Sequence, residues 1–160
     1  MFAIRQAAVS DIAILARHRT SMFADMGTLP ADLDEPLQRA TAAYLCDAMP
    51  RGEYLAWVAE DRAAPGSIVG GVGVQLRPML PRVGDDGGLE PGPEAIVVNV
   101  YVERAWRRRG IAEALMRALL DDLASRGIRR IVLHASAEGR QLYERLGFAQ
   151  TNEMRLIDRR

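Results

Sequence analysis

The sequence predicts a mixed α/β protein, and three observations carry that expectation. Runs rich in β-branched residues alternate with runs whose apolar residues recur at helical spacing, in the order βααβββαβαβ. One stretch, Ala95–Arg126, holds a strand, a tight turn and a helix in succession. Its strand carries Ile96, Val97, Val98, Val100 and Val102, its turn is Trp106-Arg107-Arg108-Arg109-Gly110, and its helix spaces Ile111, Leu115, Leu119 and Leu123 four apart. The chain has 160 residues, 49% of them apolar, which suits one domain over 1–160 with a single core.

Phe2–Ala7 opens the chain as a short strand. Ser10-Asp11 offers a helix N-cap and an acid for the first turn. Ile12, Leu15, Ala16, Met22, Phe23 and Met26 then follow a helical period, and Gly27 ends it. That stripe reads as core packing, although a methionine-rich edge also suits an adaptable pocket. A second helix covers about Pro36–Ala48, with Cys46 expected as a small buried hydrophobe. Glu53–Glu60 and Ser67–Arg77 form strands around a turn at Asp61–Gly66. Gly70, Gly71 and Gly73 interrupt the second of these. No Lys-Ser/Thr and no helix follows them, so bulges or close backbone approach explain them better than a phosphate loop. Pro78–Pro93, dense in Pro and Gly, is a surface loop.

Beyond the central strand and helix, Gly127 closes the helix in a left-handed conformation. Arg129–His134 supplies the next strand and Ala137–Leu146 a short helix. Gly147 caps that helix, and Phe148–Ile157 returns as a last strand.

Composition excludes several classes of function. Lys+Arg and Asp+Glu both number 21, every basic residue is arginine, and the formal net charge is zero. A nucleic-acid binder needs a surplus of positive charge, so nucleic acid is not an expected partner. One cysteine and two histidines give no metal-ligand spacing, and no metal is expected. No apolar run reaches the length of a membrane span and no signal-peptide layout appears, so the cytoplasm is the default and a membrane is not an expected partner.

The strand–turn–helix unit points to a ligand. A tight turn into a helix leaves the first N–H groups without carbonyl partners, and the helix dipole adds positive potential there. Gly110 permits conformations that a Cβ would block, Ala112 keeps the first turn small, and Arg107, Arg108 and Arg109 attract a polyanion. The turn reads as a pyrophosphate seat. Its residues, Arg107-x-x-Gly110-x-Ala112, fit the Q/R-x-x-G-x-G/A signature of the GNAT superfamily of acyl-CoA-dependent N-acyltransferases. Gly139-Arg140-Gln141-Leu142-Tyr143-Glu144-Arg145-Leu146-Gly147-Phe148 resembles that family's "LYEKLGF" segment, in the expected order and with a strand between. The resemblance covers Ala95–Ile157 well and the N-terminal half in outline.

The resemblance implies a single twisted mixed sheet flanked by helices, splayed between its fourth and fifth strands to admit a pantetheine arm. It implies acetyl-CoA as acyl donor and N-acetyl transfer to a primary amine, of a small molecule or an exposed amino group, by direct attack in a ternary complex. Backbone groups of Val100, Tyr101 and Val102 would face the acyl carbonyl. Arg107, Arg108, Arg109, Gly110, Ile111 and Ala112 would hold the diphosphate. Tyr143 would protonate the departing thiolate, since a phenol of pKa roughly 10 keeps its proton at neutral pH. Ser136 stands where many members carry a cofactor-contacting Asn, and Arg104 where many carry Pro.

Other residues weigh less. Asn99 and Tyr101 alternate with Val98, Val100 and Val102 and so belong to the opposite strand face. Trp106 pins the turn by packing. Glu94 and His134 can accept a proton but read better as strand-end surface residues. Asp25, Asp32, Asp34 and Glu35 would favour a cationic acceptor. Cys46 lies far in sequence from both motifs, so no acyl-cysteine is expected. A non-catalytic acyl-CoA sensor is the alternative; it would need no proton donor, and a homodimer is compatible with either reading.

Overall fold

In a computed structural model, which describes residues 1–156, β1 (Phe2–Gln6) leads through a 3-10 turn at Val9–Asp11 into α1 (Ile12–Asp25). α2 (Asp34–Ala48), β2 (Tyr54–Asp61) and β3 (Ile68–Arg77) follow. The Pro/Gly-rich loop contains a two-rung hairpin, β4 (Arg82–Val83) and β5 (Leu89–Glu90). β6 (Glu94–Val102), α3 (Ile111–Ser125), β7 (Ile131–Leu133) and α4 (Arg140–Arg145) complete the order.

The main sheet runs β1-β2-β3-β6-β7, antiparallel except for the parallel pair β6–β7 that α3 connects. This is the expected mixed sheet flanked by helices. α3 covers one face. Its Ile111, Leu115, Met116, Leu119 and Leu123 are all at most 1% exposed, and they pack on Trp57, Val72, Val97 and Val102. Full burial of each such side chain contributes roughly 1.5–3 kcal/mol, which makes α3 and the strands beneath it the main core. α1 and α2 cover the other face over a smaller cluster that includes Leu15, Leu45, Tyr54 and Val58.

Several expectations change. The ladder between β6 and β7, the fourth and fifth strands of the sequence reading, stops at Val97–Leu133, while β6 runs on to Val102. β6 is therefore unpaired on that side past Val97, as the expected splay requires, and β7 is shorter than Arg129–His134. The predicted last strand does not form among the described residues 148–156, which join no strand ladder, and Ile157 lies outside them. β7 has only three half-buried residues, a short template, and Met154 and Leu156 stay in solvent at 94% and 95% exposure. Cys46 is exposed, because α2 buries Thr41, Leu45 and Ala48 instead. Neither Ser10 nor Asp11 caps α1. The Asp11 carboxylate accepts from the Ala8 N–H at 2.8 Å and pairs with Arg5.

Candidate active site

The turn after β6 has the conformation an anion seat needs. Arg108 and Gly110 both take positive φ, 62° and 76°. Left-handed residues in a turn expose successive N–H groups to one side. The first intrahelical bond of α3 runs from Ala114 N–H to the Gly110 carbonyl, so Ile111, Ala112 and Glu113 N–H groups precede the ladder. Open space lies where a Gly110 Cβ would project. Arg108 and Arg109 are exposed. Arg109 stacks over Trp106 at 4.8 Å, and Trp106 packs on the core, so the aromatic side chain fixes the turn. These features fit a bound diphosphate.

Arg107 is placed otherwise. Its Nε donates to the Val102 carbonyl at 3.0 Å, its guanidinium lies 5.7 Å from the Tyr101 ring centre, and it pairs with Asp25 at the end of α1. Arg104 joins the same carboxylate, and hydrogen bonds from Arg104 and Arg107 hold the Asp25 pKa below the usual range. Arg107 thus ties α1 to the turn by its side chain, and the spacing of the motif gave no sign of this.

β6 carries a bulge. Gly71 pairs with Tyr101 and Gly73 with Val98, leaving Asn99 and Val100 opposite Val72. Asn99 sits at φ 58°, a left-handed conformation that Asn tolerates better than most residues. Its amide donates to the Tyr54 hydroxyl at 3.0 Å and accepts from Arg19 at 2.6 Å. Val98 and Asn99 therefore share the α1–α2 face, which breaks the simple alternation expected there. Gly73 supports the arrangement, since a Cβ on it would overlap the Tyr54 hydroxyl. Burial pushes the Tyr54 pKa up to about 12, so this phenol stays protonated.

Tyr143 is half-buried on α4. Its ring meets Phe148 edge-on at 6.1 Å, and burial raises its pKa. It lines a cleft of about 690 Å³ with Ile131–Ala135 of β7 and its exit and with residues 148–151. No residue of β6 or of the Arg107–Ala112 turn lines that cleft. The link to the turn is instead through Arg145 of α4, 3.9 Å from Glu113 in the first turn of α3. The Ser136 hydroxyl accepts from the Gly139 N–H at 3.2 Å, in the turn that leads into α4. His134 is exposed in the cleft. Glu94 is 1% exposed rather than superficial. Burial pushes its pKa up, but its ion pairs with Arg130 and Arg77 outweigh that and hold it low.

The acetyltransferase (GNAT) family model matches residues 12–148. The chain belongs to that family. A GCN5-related N-acetyltransferase from Ralstonia eutropha JMP134 superposes with a TM-score of 0.84 at 29% identity, covering 99% of each chain. A predicted acetyltransferase from Clostridium acetobutylicum, crystallised with acetyl-CoA, gives 0.82 at 26% identity over 99% of this chain and 96% of that one. Among curated proteins, a glucosamine 6-phosphate N-acetyltransferase of Trypanosoma brucei brucei is 32% identical over 92 residues, 57% of this chain and 58% of that protein. Glucosamine 6-phosphate N-acetyltransferase 1 of Oryza sativa subsp. japonica is 28% identical over 100 residues, 62% of this chain and 56% of that protein. The chain thus spans less than two thirds of the length of the curated relatives it matches. The family is one of acetyltransferases, and one of its neighbours above was crystallised with acetyl-CoA. Among the described residues no group of potential metal ligands gathers, and no helix is long and apolar enough to cross a membrane.

Proposed function

We propose that this acetyltransferase moves the acetyl group of acetyl-CoA to the primary amine of a small molecule or exposed amino group, by direct attack in a ternary complex. The observation that carries the reading is the Arg108–Gly110 turn with its unpaired helix N–H groups, at the end of a strand already parted from its neighbour. Ile111, Ala112 and the turn residues would hold the diphosphate through backbone N–H groups, with Arg108 and Arg109 adding charge. Bound acetyl-CoA supplies an acyl group activated as a thioester.

The chain's own residues do the rest. Backbone N–H groups of the Val100–Val102 stretch, beyond the last β6–β7 rung, would polarise the carbonyl, while the Val102 carbonyl is taken by Arg107. Tyr143 keeps its proton at neutral pH because burial raises its pKa, and it is the group assigned to protonate the departing sulfur. Exposed Cys46 on α2 belongs to neither element of the site, so no acyl-cysteine is assigned.

Two variants test binding and chemistry separately. Gly110→Val fills the open space and strains a left-handed position, so calorimetry should show a sharp loss of acetyl-CoA affinity in a folded protein. Tyr143→Phe should keep that affinity and lower turnover by about 10²–10⁴. Unchanged affinity in the first would remove the diphosphate assignment. Parent-like turnover in the second would move the acid role to water or another group, and binding without acetylation of any amine would favour the sensor.

A further inference from the structure

On the α1 side of the sheet, near the end of β6, most charges are matched. Asp25 takes Arg104 and Arg107, while Glu103 takes Arg17 and stands beside His18. Arg19 is different. The residue is half-buried, and its guanidinium lies 5.0 Å from the centre of the Phe23 ring and donates to Asn99 Oδ1. Asn99 is a neutral amide, and among the described residues no carboxylate pairs with Arg19.

A guanidinium cannot shed its proton and carries five N–H donors, of which one is used here. Holding a partly dehydrated cation without an anion is unfavourable, and a ligand anion relieves it. The surroundings are built to hold the group still. Asn99 is fixed by its left-handed backbone and by the Tyr54 hydroxyl, Tyr54 is 2% exposed, and Gly73 leaves room for it.

Building on the acetyl-transfer reading above, we infer that Arg19 is a specificity-determining residue that receives an anionic group, a phosphate or carboxylate, carried by the acceptor amine. Asn99 directly precedes Val100–Val102, so an anion at Arg19 sets a small acceptor beside the stretch assigned to the acyl carbonyl. This reverses the expectation that the acids near the α1–α2 connection select a cation. Asp25 is spent on two arginines and Glu35 pairs with Arg39.

The test is calorimetric binding to CoA-loaded protein of two matched pairs: glucosamine 6-phosphate against glucosamine, and glycine against glycinamide. The parent should prefer the anionic member of at least one pair by about 10–100-fold, and the pair tells phosphate from carboxylate. Arg19→Gln should abolish the preference, Arg19→Lys should keep part of it, and raising salt on the parent should weaken it. Equal binding within both pairs, or a preference that survives in Arg19→Gln, overturns the assignment. Salt measurements on the parent decide the matter if Arg19→Gln fails to fold. Acetyl-CoA affinity is read separately, so failure of the cofactor seat is distinguishable from failure of the anion site.

Discussion

The centre of the sheet and its β7 edge are held very differently. At the centre, α3 lays five fully buried side chains on β2, β3 and β6, and the diphosphate turn is the first thing attached to it. At the edge, β7 offers three half-buried residues, α4 is six residues with none buried, and residues 151–156 are exposed. The proposed seat for the cofactor thus rides on the best-packed element, while the proposed proton donor rides on the least. Local stability follows buried apolar contact, so α4 should open well below the free energy of global unfolding. Cofactor binding and thiolate protonation are then separable in energy as well as in space.

Core truncation should expose that difference most. Leu119→Ala, at 0% exposure, should cost about 2–5 kcal/mol in urea unfolding at pH 7. Leu142→Ala, half-buried on α4, should cost about 1 kcal/mol or less while still lowering turnover. Equal costs would mean that the edge is as well packed as the centre.

A pH titration of stability sharpens the same contrast from the α1 face. His18 is 1% exposed, and its Nε2 lies 3.3 Å from Glu103 Oε1 without the alignment of a hydrogen bond. Burial lowers its pKa to about 4; Glu103 opposes this and Arg17 adds to it, and burial wins. The unfolded chain, with a pKa near 6.5, binds that proton more readily than the folded one. Stability should therefore be full above about pH 6.5 and fall progressively toward pH 4, by about 3 kcal/mol in all. His18→Gln should flatten the decline between pH 6.5 and 5, above the range where carboxylates titrate. A parent curve already flat in that window would contradict the assignment.

The smallest effect concerns the tie between the two regions. Arg145, itself exposed, meets half-buried Glu113 at 3.9 Å, and Glu113 keeps Arg117 as a partner, so Arg145→Ala should change unfolding stability by less than about 0.5 kcal/mol. A larger loss would show that α4 is anchored to α3 more firmly than its burial suggests.

The central unit was readable because its signals agree. The Leu115–Leu119–Leu123 spacing, the glycine at the turn and the valine run all call for the same strand, turn and helix. The parting of β6 from β7 came from the family resemblance. The side-chain partners of Arg107 were not legible, because spacing locates a residue but not its side chain, and Asp25, distant in sequence, pairs with it. The burial of Glu94 was hidden similarly, since its two arginines arrive from the end of β3 and from the residue before β7. The absent last strand shows the limit of alternation: Phe148–Ile157 has a strand-like pattern, but a strand forms only against an edge long enough to pair with. Asn99 did carry a signal, an Asn inside a valine run, which is where a left-handed residue is most easily accommodated.

The bulge at Asn99 also shifts the reading frame of β6. Before it, odd-numbered Ala95 and Val97 face α3; after it, even-numbered Val102 belongs to that same packed cluster and Val100 lies against it. Removing residue 99 would restore plain alternation and leave every one of those four side chains on its present face. The fold therefore does not need the extra residue. What would disappear is the neutral partner of Arg19 and the hydrogen bond to Tyr54. One inserted position thus both satisfies a buried phenol and steadies the cation of the proposed anion site.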